Sequence, residues 1–281
     1  MFPIIAKEEL GPSVFRLRVR APLIAAKAQP GQFLIVVLDE KGERVPFTLS
    51  DWDAEGGTVD FVFLVVGPTT EKMARLQVGD TIAHCVGPLG RPSHVDTFGH
   101  VVCLVSGYGI AAMVPVLRAL KGKDNQITTI VQAPDKKRLF GLEALKEWSD
   151  KVLVATSDNG NGKGPLASDQ LRHLLAEHPN QPIHRVVAMC SLCLMWVVTE
   201  LTRPLRIPTF LHMTPIMVDG TGMCGACRLQ VEGTNRFACV HGPEFDGHKI
   251  GSWDVLLARR CSYADENVLQ QSYSCRTCSQ W

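Results

Sequence analysis

Along the first third of the chain, short runs with frequent apolar–polar alternation and β-branched residues are broken by turns: "SVFRLRVRAP", "GQFLIVVLDE", "RVPFTLSDW", "GTVDFVFLVV" and "DTIAHCVGPLG". A period of two places every second side chain on one face, as in a half-buried strand, and the breaks between runs carry Gly, Pro and Asp. The pattern predicts a small antiparallel β-barrel over residues 1–96. After Gly99 the period changes. "HVVCLVSGYGIAAMVPVLRALKG" reads as an apolar strand, a glycine turn and an apolar-periodic helix, followed by the strand "QITTIVQAP" and the helix "FGLEALKEW". "KVLVATSD" and "IHRVVAMCS" add two strands, each with helix-like sequence behind it. Alternating strands and helices predict a parallel sheet over residues 97–212, with ligands at the carboxyl ends of its strands. Residues 213–250 are turn-rich around cysteines, and residues 251–281 form a tail with a short helical pattern.

A length of 281 residues is enough for two ordinary domains and a sizeable core. Lys plus Arg (29) nearly cancels Asp plus Glu (28), with no basic block or interleaved aromatic stripe, which argues against nucleic acid or an anionic membrane as partner. Proteins and small molecules are the expected partners. The most apolar stretch, "VVAMCSLCLMWVV" at 186–198, is shorter than a membrane span, and "MFPIIAKEEL" lacks the basic and apolar regions of an export signal. A cytoplasmic location is therefore expected. In that compartment the ten cysteines, several of them in C-x-x-C pairs (Cys190/Cys193, Cys224/Cys227, Cys275/Cys278), point to metal or redox use rather than a disulfide scaffold.

The densest chemistry lies in "DGTGMCGACRLQVEGTNRFAC" at 219–239. Asp219, Cys224, Cys227 and Cys239 reproduce the C-x4-C-x2-C…C spacing of plant-type [2Fe–2S] sites, except that an aspartate stands at the first position. Glycines at 220, 222 and 225 let backbone amides turn tightly around sulfur. A carboxylate is a harder ligand than thiolate but also binds iron. Two other readings compete: zinc held by Cys224/Cys227 with Cys275/Cys278, which leaves the Asp219 and Cys239 spacing unexplained, and free structural thiols.

Two further stretches suit phosphates and a flavin. "RVPFTLS" at 44–50 puts an arginine, an aromatic and hydroxyls on one strand, where a guanidinium can pair with a pyrophosphate and Thr48 or Ser50 can hydrogen-bond near a flavin N5. "VVGPTTEKMARL" sets Gly67 and Thr70 at a helix start, which suits either a phosphate or a plain helix cap. In "SGYGIAAMVPVLRAL", Gly107 and Gly109 resemble the phosphate turn of a nucleotide-binding sheet, although Ala112 occupies the place of the last glycine in G-x-G-x-x-G.

The order of these signals resembles the ferredoxin–NADP reductase superfamily: barrel with R-x-P-F-T, V-x-G-x-x-T, G-x-G-I-A at a strand-to-helix turn, then a C-terminal cysteine loop. More closely, "PIMVDGTGMCGACR" with "FACVHGPEFDGHK" is similar to the small subunits of electron-bifurcating NADH-dependent ferredoxin:NADP oxidoreductases and of sulfide dehydrogenases, cousins of the dihydroorotate dehydrogenase electron-transfer subunit. The resemblance implies a barrel-bound FAD held by Arg44, Pro46, Phe47, Thr48, Leu49, Ser50, Gly67 and Thr70, with Thr48 at the reacting flavin. It implies NAD(H) or NADP(H) at Gly107, Gly109, Ile110 and Asp158, with Cys190 approaching the nicotinamide. It makes Asp219, Cys224, Cys227 and Cys239 the cluster ligands, and a larger flavin and [4Fe–4S] subunit, or ferredoxin, the electron partner.

Where the superfamily has C-G-P-x-x-M, this chain reads Cys190-Ser191-Leu192-Cys193-Leu194-Met195, without the Gly-Pro turn. Cys193 is expected to be a buried thiol, and His84, His212, His241 and His248 to be structural. Lys136, Lys137 and Arg138 follow a strand where a basic side chain can meet a 2′-phosphate, so NAD and NADP both remain open, with family resemblance inclining to NAD. The function expected is electron transfer between nucleotide, FAD, cluster and partner. The rivals are a self-contained reductase, a cluster-bearing scaffold or redox sensor without nucleotide binding, and a zinc interaction module.

Overall fold

The computed structural model describes residues 1–156, 166–177 and 180–261. The first ninety residues form seven strands, β1 (Phe2–Gly11), β2 (Val14–Arg20), β3 (Phe33–Val37), β4 (Val45–Asp53), β5 (Thr58–Leu64), β6 (Thr81–Ile82) and β7 (His84–Leu89), with short helices α1 (Pro22–Ala25) and α2 (Pro68–Arg75). Their order is β6-β1-β2-β5-β4-β3-β7, and every pairing is antiparallel. Ala83 alone separates β6 from β7, so one bent segment supplies both edges and the sheet curls into a nearly closed barrel. Inside it pack Leu17, Leu34, Phe47, Leu49, Phe61 and Phe63.

The sequence pattern misses β1. Of its ten residues only Ile4 is buried, so no alternation marks it, and its pairing with β2 makes the strand.

The second layer is a six-stranded sheet flanked by helices on both faces. It is built from β8 (His100–Ser106), α3 (Gly109–Lys121), β9 (Gln126–Ala133), α4 (Leu142–Glu147), β10 (Lys151–Thr156), α5 (Ala167–Glu177), β11 (Arg185–Met189), α6 (Leu192–Thr202) and β12 (Thr209–His212). The C-terminal segment adds a hairpin of β13 (Arg228–Val231) and β14 (Thr234–Phe237), then α7 (Ala238–His241), β15 (Glu244–Asp246) and α8 (Trp253–Cys261). The sheet order β10-β9-β8-β11-β12-β15 is parallel except at β15. The run Val101–Val105 is wholly buried, as expected of a strand covered on both faces.

β15 lies within the segment that reads as a separate cluster module, yet it pairs antiparallel with β12 and completes the edge of the sheet. The cluster segment is therefore joined to the nucleotide-type sheet by backbone hydrogen bonds. Three residues and two flanking turns are too little pattern to announce such a strand.

Candidate functional site

The hairpin β13–β14 gathers two of the cysteines. Cys227 precedes β13 and Cys239 follows β14, the register pairs Arg228 with Phe237, and the Ala238 amide donates to the Cys227 carbonyl at 3.1 Å. The two sulfurs lie 3.3 Å apart, both buried. Two thiolates on one tetrahedral metal sit roughly 3.7 Å apart for bonds of about 2.3 Å, so this pair needs little movement to share an iron. Burial and the neighbouring Cys227 push the Cys239 thiol up to about 12.

The other pair is on the exposed side of the loop. Backbone amides of Ala226, Asp219 and Val218 converge on the Cys224 sulfur and hold its thiol below the usual range. N–H donors near sulfur favour its anionic form, as a metal-bound thiolate requires. Asp219 accepts from the Thr221 amide at 2.9 Å and from the Thr221 hydroxyl, and these bonds hold its carboxyl below the usual carboxylate range. The turn depends on Gly220 (φ 84°) and Gly222 (φ 88°), both left-handed. A Cβ at Gly220 would meet Ile35 at 2.8 Å, and one at Gly222 would meet Val240 at 2.7 Å. Among the described residues no three His, Cys, Asp or Glu side chains close around one point. Cys227 and Cys239 are close enough to share one iron, with Asp219 and Cys224 elsewhere on the same loop. Cys275 and Cys278, required by the zinc alternative, lie outside the described residues, as does Asp158.

On β4, Phe47 and Leu49 point into the barrel, where Phe47 stacks on Phe61 at 5.1 Å. Their side chains are committed to the core and leave only the backbone to meet a ligand. Thr48 and Pro46 are half-buried, and Ser50 sits at a bulge between Leu49 and Asp51. The Ser50 hydroxyl is buried and, among the described residues, has no hydrogen-bond partner. Such an orphan is what a missing polar ligand would leave behind. Space is open around Gly67, while Thr70 serves as a helix cap: its hydroxyl accepts from the Val66 and Gly67 amides at 2.9 and 3.1 Å. Arg44 is exposed and turned towards the cysteine loop, its Nη2 donating to the Asp219 carbonyl at 2.9 Å.

The parallel sheet changes direction between β8 and β11, and the crevice at their carboxyl ends is where such sheets bind nucleotides. Gly107 lies there with open space around it. Gly109 differs: a Cβ on it would sit 2.2 Å from the Met189 carbonyl, so it lets α3 close against β11. Ile110 is fully buried and can offer a ligand only its backbone. Ser106, unremarked in the sequence, accepts from the Ser191 amide at 3.3 Å and ties the two loops of the crevice together. Cys190 is buried at the same end, and burial pushes its thiol well up. Cys193 corrects the expectation of a free buried thiol, for it is half-buried and disulfide-bonded. The Lys136–Arg138 run is a short turn after β9, with Asp135 accepting from the Arg138 amide at 3.0 Å.

Three of the four histidines expected to be structural pack into the fold, while His84 on β7 is exposed. His212 is buried against Ser93 and Glu244, the His248 ring meets Thr202, and the His241 ring accepts from the Phe237 amide.

Residues 214–251 match the iron–sulfur cluster binding domain of dihydroorotate dehydrogenase B. The Thermotoga maritima homologue of the dihydroorotate dehydrogenase B (NAD(+)) electron transfer subunit is 39% identical over 95% of this chain and 93% of its own length. The chain belongs to that electron-transfer-subunit family. A solved structure of the NADH-dependent reduced ferredoxin–NADP oxidoreductase, described in connection with flavin-based electron bifurcation, is 36% identical, covers 96% of each chain and superposes with a TM-score of 0.84. Ferredoxin–NADP+ reductase from Plasmodium falciparum, at 12% identity over 72% of this chain and 90% of its own, shares the fold with a TM-score of 0.59. The family's cluster domain thus falls on the loop that carries Asp219 and the three cysteines, and the barrel-plus-sheet fold expected from the sequence is borne out.

Proposed function

We propose that this chain is the electron-transfer subunit of a larger oxidoreductase, moving electrons between NAD(H) or NADP(H), FAD and a [2Fe–2S] cluster, and to or from a partner subunit. One observation carries the reading: the loop matched to an iron–sulfur binding domain brings the Cys227 and Cys239 sulfurs to 3.3 Å and also carries Asp219 and Cys224. FAD would supply the exchange between two-electron hydride chemistry and one-electron transfer.

The chain's own residues bind and orient. Gly107 and the first turn of α3 receive the nucleotide phosphates, Ser106 and Ser191 keep the crevice walls together, and the backbone of β4 with Thr48 and Ser50 faces the flavin. Asp219, Cys224, Cys227 and Cys239 ligate the cluster. NAD is favoured over NADP by the names of the relatives. A partner is expected because the relatives are subunits, and the larger flavin and [4Fe–4S] type is the first to look for. No helix among the described residues is long and apolar enough to cross a membrane.

The test is an anaerobic visible spectrum with flavin, iron, sulfide and zinc analysis, before and after NADH. FAD with equal iron and sulfide, bleached by NADH, supports the whole reading. Flavin and cluster unmoved by either nucleotide would favour a subunit reduced from its partner's side, which the missing Gly-Pro turn favours as second reading. Zinc without flavin would overturn both.

A further inference from the structure

We propose that Arg44 is a positioning residue of the cluster centre and not a clamp on the flavin pyrophosphate. The proposal rests on the reading of Asp219 as a ligand. Its guanidinium Nη2 donates to the Asp219 carbonyl at 2.9 Å and stands 3.9 Å from the carboxylate Oδ1, across 175 residues of sequence. The other carboxylate oxygen, Oδ2, is occupied by the Thr221 amide and hydroxyl. Arg44 therefore faces the one oxygen that Thr221 leaves, and it fixes the backbone immediately before the left-handed turn at Gly220.

Two neighbours strengthen the assignment. The position of a Gly220 Cβ lies against Ile35 and Leu89 of the barrel, so the loop is seated on β3 and β7 beside the start of β4. On the opposite side, towards α2, the residue preceding Arg44 presents an acid: Glu43 accepts from the Thr69 hydroxyl at the start of that helix. A carboxylate at the helix N-terminus is poor company for a phosphate clamp, whereas the cation one residue on is drawn to Asp219.

The consequence is electrostatic as well as geometric. A cluster with four anionic ligands becomes more negative on reduction, and a nearby guanidinium stabilises that reduced state and raises the potential. Both groups are partly exposed, at 40% and 26% of their side-chain surfaces, so solvent screens the pair. The backbone hydrogen bond adds a constraint that screening does not remove. Arg44 would link the strand facing the flavin to the ligand end of the cluster and set the cluster's potential.

The experiment compares R44Q and R44K with the wild type, as anaerobically purified holoprotein. It reads FAD per chain, the electron paramagnetic resonance spectrum of the reduced cluster, and the cluster midpoint in a redox titration. In R44Q the expected result is wild-type FAD content with altered g-values and a more negative midpoint, or a lost cluster signal. R44K, which keeps the charge, should move the midpoint back towards wild type. Loss of FAD with an unchanged cluster spectrum would assign Arg44 to the phosphate and overturn the proposal, as would three indistinguishable proteins. Loss of both groups in R44Q is decided by R44K: cluster recovered at its wild-type midpoint supports the proposal, and FAD recovered without it overturns it. Wild-type protein without iron and sulfide would instead bring down the proposed function itself.

Discussion

Arg185 and Glu244 meet inside the molecule, guanidinium to carboxylate at 3.4 Å, with 5% and 9% of their side chains exposed. Phe98 and Phe210 lie against the guanidinium, with ring centroids 4.2 and 3.6 Å away. His212 Nε2 is 3.2 Å from the other Glu244 oxygen and 2.9 Å from the Ser93 hydroxyl, and the His94 amide donates to the carboxylate at 3.2 Å. The network joins the connection out of the barrel (Ser93, His94) to β11, β12 and β15, so it fastens the cluster segment to the rest of the protein. Both protein partners reach the same ring nitrogen, so this is not the relay geometry of a hydrolase, in which base and orienting acid use opposite nitrogens.

Removing Glu244 leaves a buried guanidinium without its counter-charge, and Arg185 Nε already has no partner among the described residues. Glu244→Ala is therefore expected to cost about 3–5 kcal/mol. Urea unfolding checks it. A cost under about 1 kcal/mol would mean that water or the aromatic rings replace the carboxylate.

The same group gives a pH dependence. Burial pushes the Glu244 carboxyl up, but His212, Arg185 and the His94 amide outweigh burial and hold it below its usual 4.5. A depressed folded-state value contributes stability that is fully present above pH 4.5 and is lost as pH falls through the lower folded value. Wild type and Glu244→Gln, unfolded in urea at a series of pH values from neutral downward, should converge in the acid range. Parallel curves would remove Glu244 as a source of acid sensitivity.

Asp219→Ala is expected to lose or perturb the cluster while FAD stays bound, because the Arg44 bond to the residue 219 carbonyl and the seat of Gly220 on Ile35 and Leu89 do not need the carboxylate. Asp219→Cys should retain a cluster with a changed absorption and resonance spectrum, since thiolate is the softer ligand. Iron, sulfide and flavin analysis of both variants is the check. An unchanged spectrum in Asp219→Ala would strike Asp219 from the ligand set.

Gly107 and Gly109, two residues apart, should fail differently. Gly109→Ala drives a methyl to 2.2 Å from the Met189 carbonyl and is expected to cost about 1–3 kcal/mol of stability. Gly107 has φ 56° and nothing near its Cβ position, so alanine there should cost about 1 kcal/mol in backbone strain yet place a methyl where the proposed nucleotide pyrophosphate would approach. Nucleotide binding in Gly107→Ala should weaken by roughly tenfold, about 1.4 kcal/mol. Thermal melts with and without NADH separate the two. Equal affinities would place the phosphates elsewhere.

The sequence was legible where local pattern and tertiary role agree. Alternation in β2 and β4, the apolar runs of β3 and β5, the run Val101–Val105 and the period of α3 reflect burial directly, and the 219–239 spacing is fixed by the short chain path around sulfur. It was silent where long-range contact decides. β1 is a strand because β2 pairs with it, β15 because β12 does, and Glu244 has no local signature of the ion pair that β15 brings it into with Arg185. The link from Arg44 to Asp219 spans 175 residues and has no local signature at all. Cys193 illustrates the converse: an apolar neighbourhood suggests a core thiol, and a covalent partner decides otherwise.

Ser50 offers the sharpest separation of flavin binding from folding. Its hydroxyl is buried at the β4 bulge without a partner among the described residues, and such a group costs about 1–3 kcal/mol unless something accepts or donates to it. With FAD stripped from the protein, Ser50→Ala should raise the melting temperature or leave it unchanged. With FAD bound, the same variant should gain less stabilisation from the cofactor than wild type does, because a flavin polar atom has lost its hydroxyl. The opposite signs are the test, measured as melting temperature against FAD concentration for both proteins. A destabilised apoprotein would show that the hydroxyl serves the fold, and identical FAD-dependent gains would show that it does not serve the flavin.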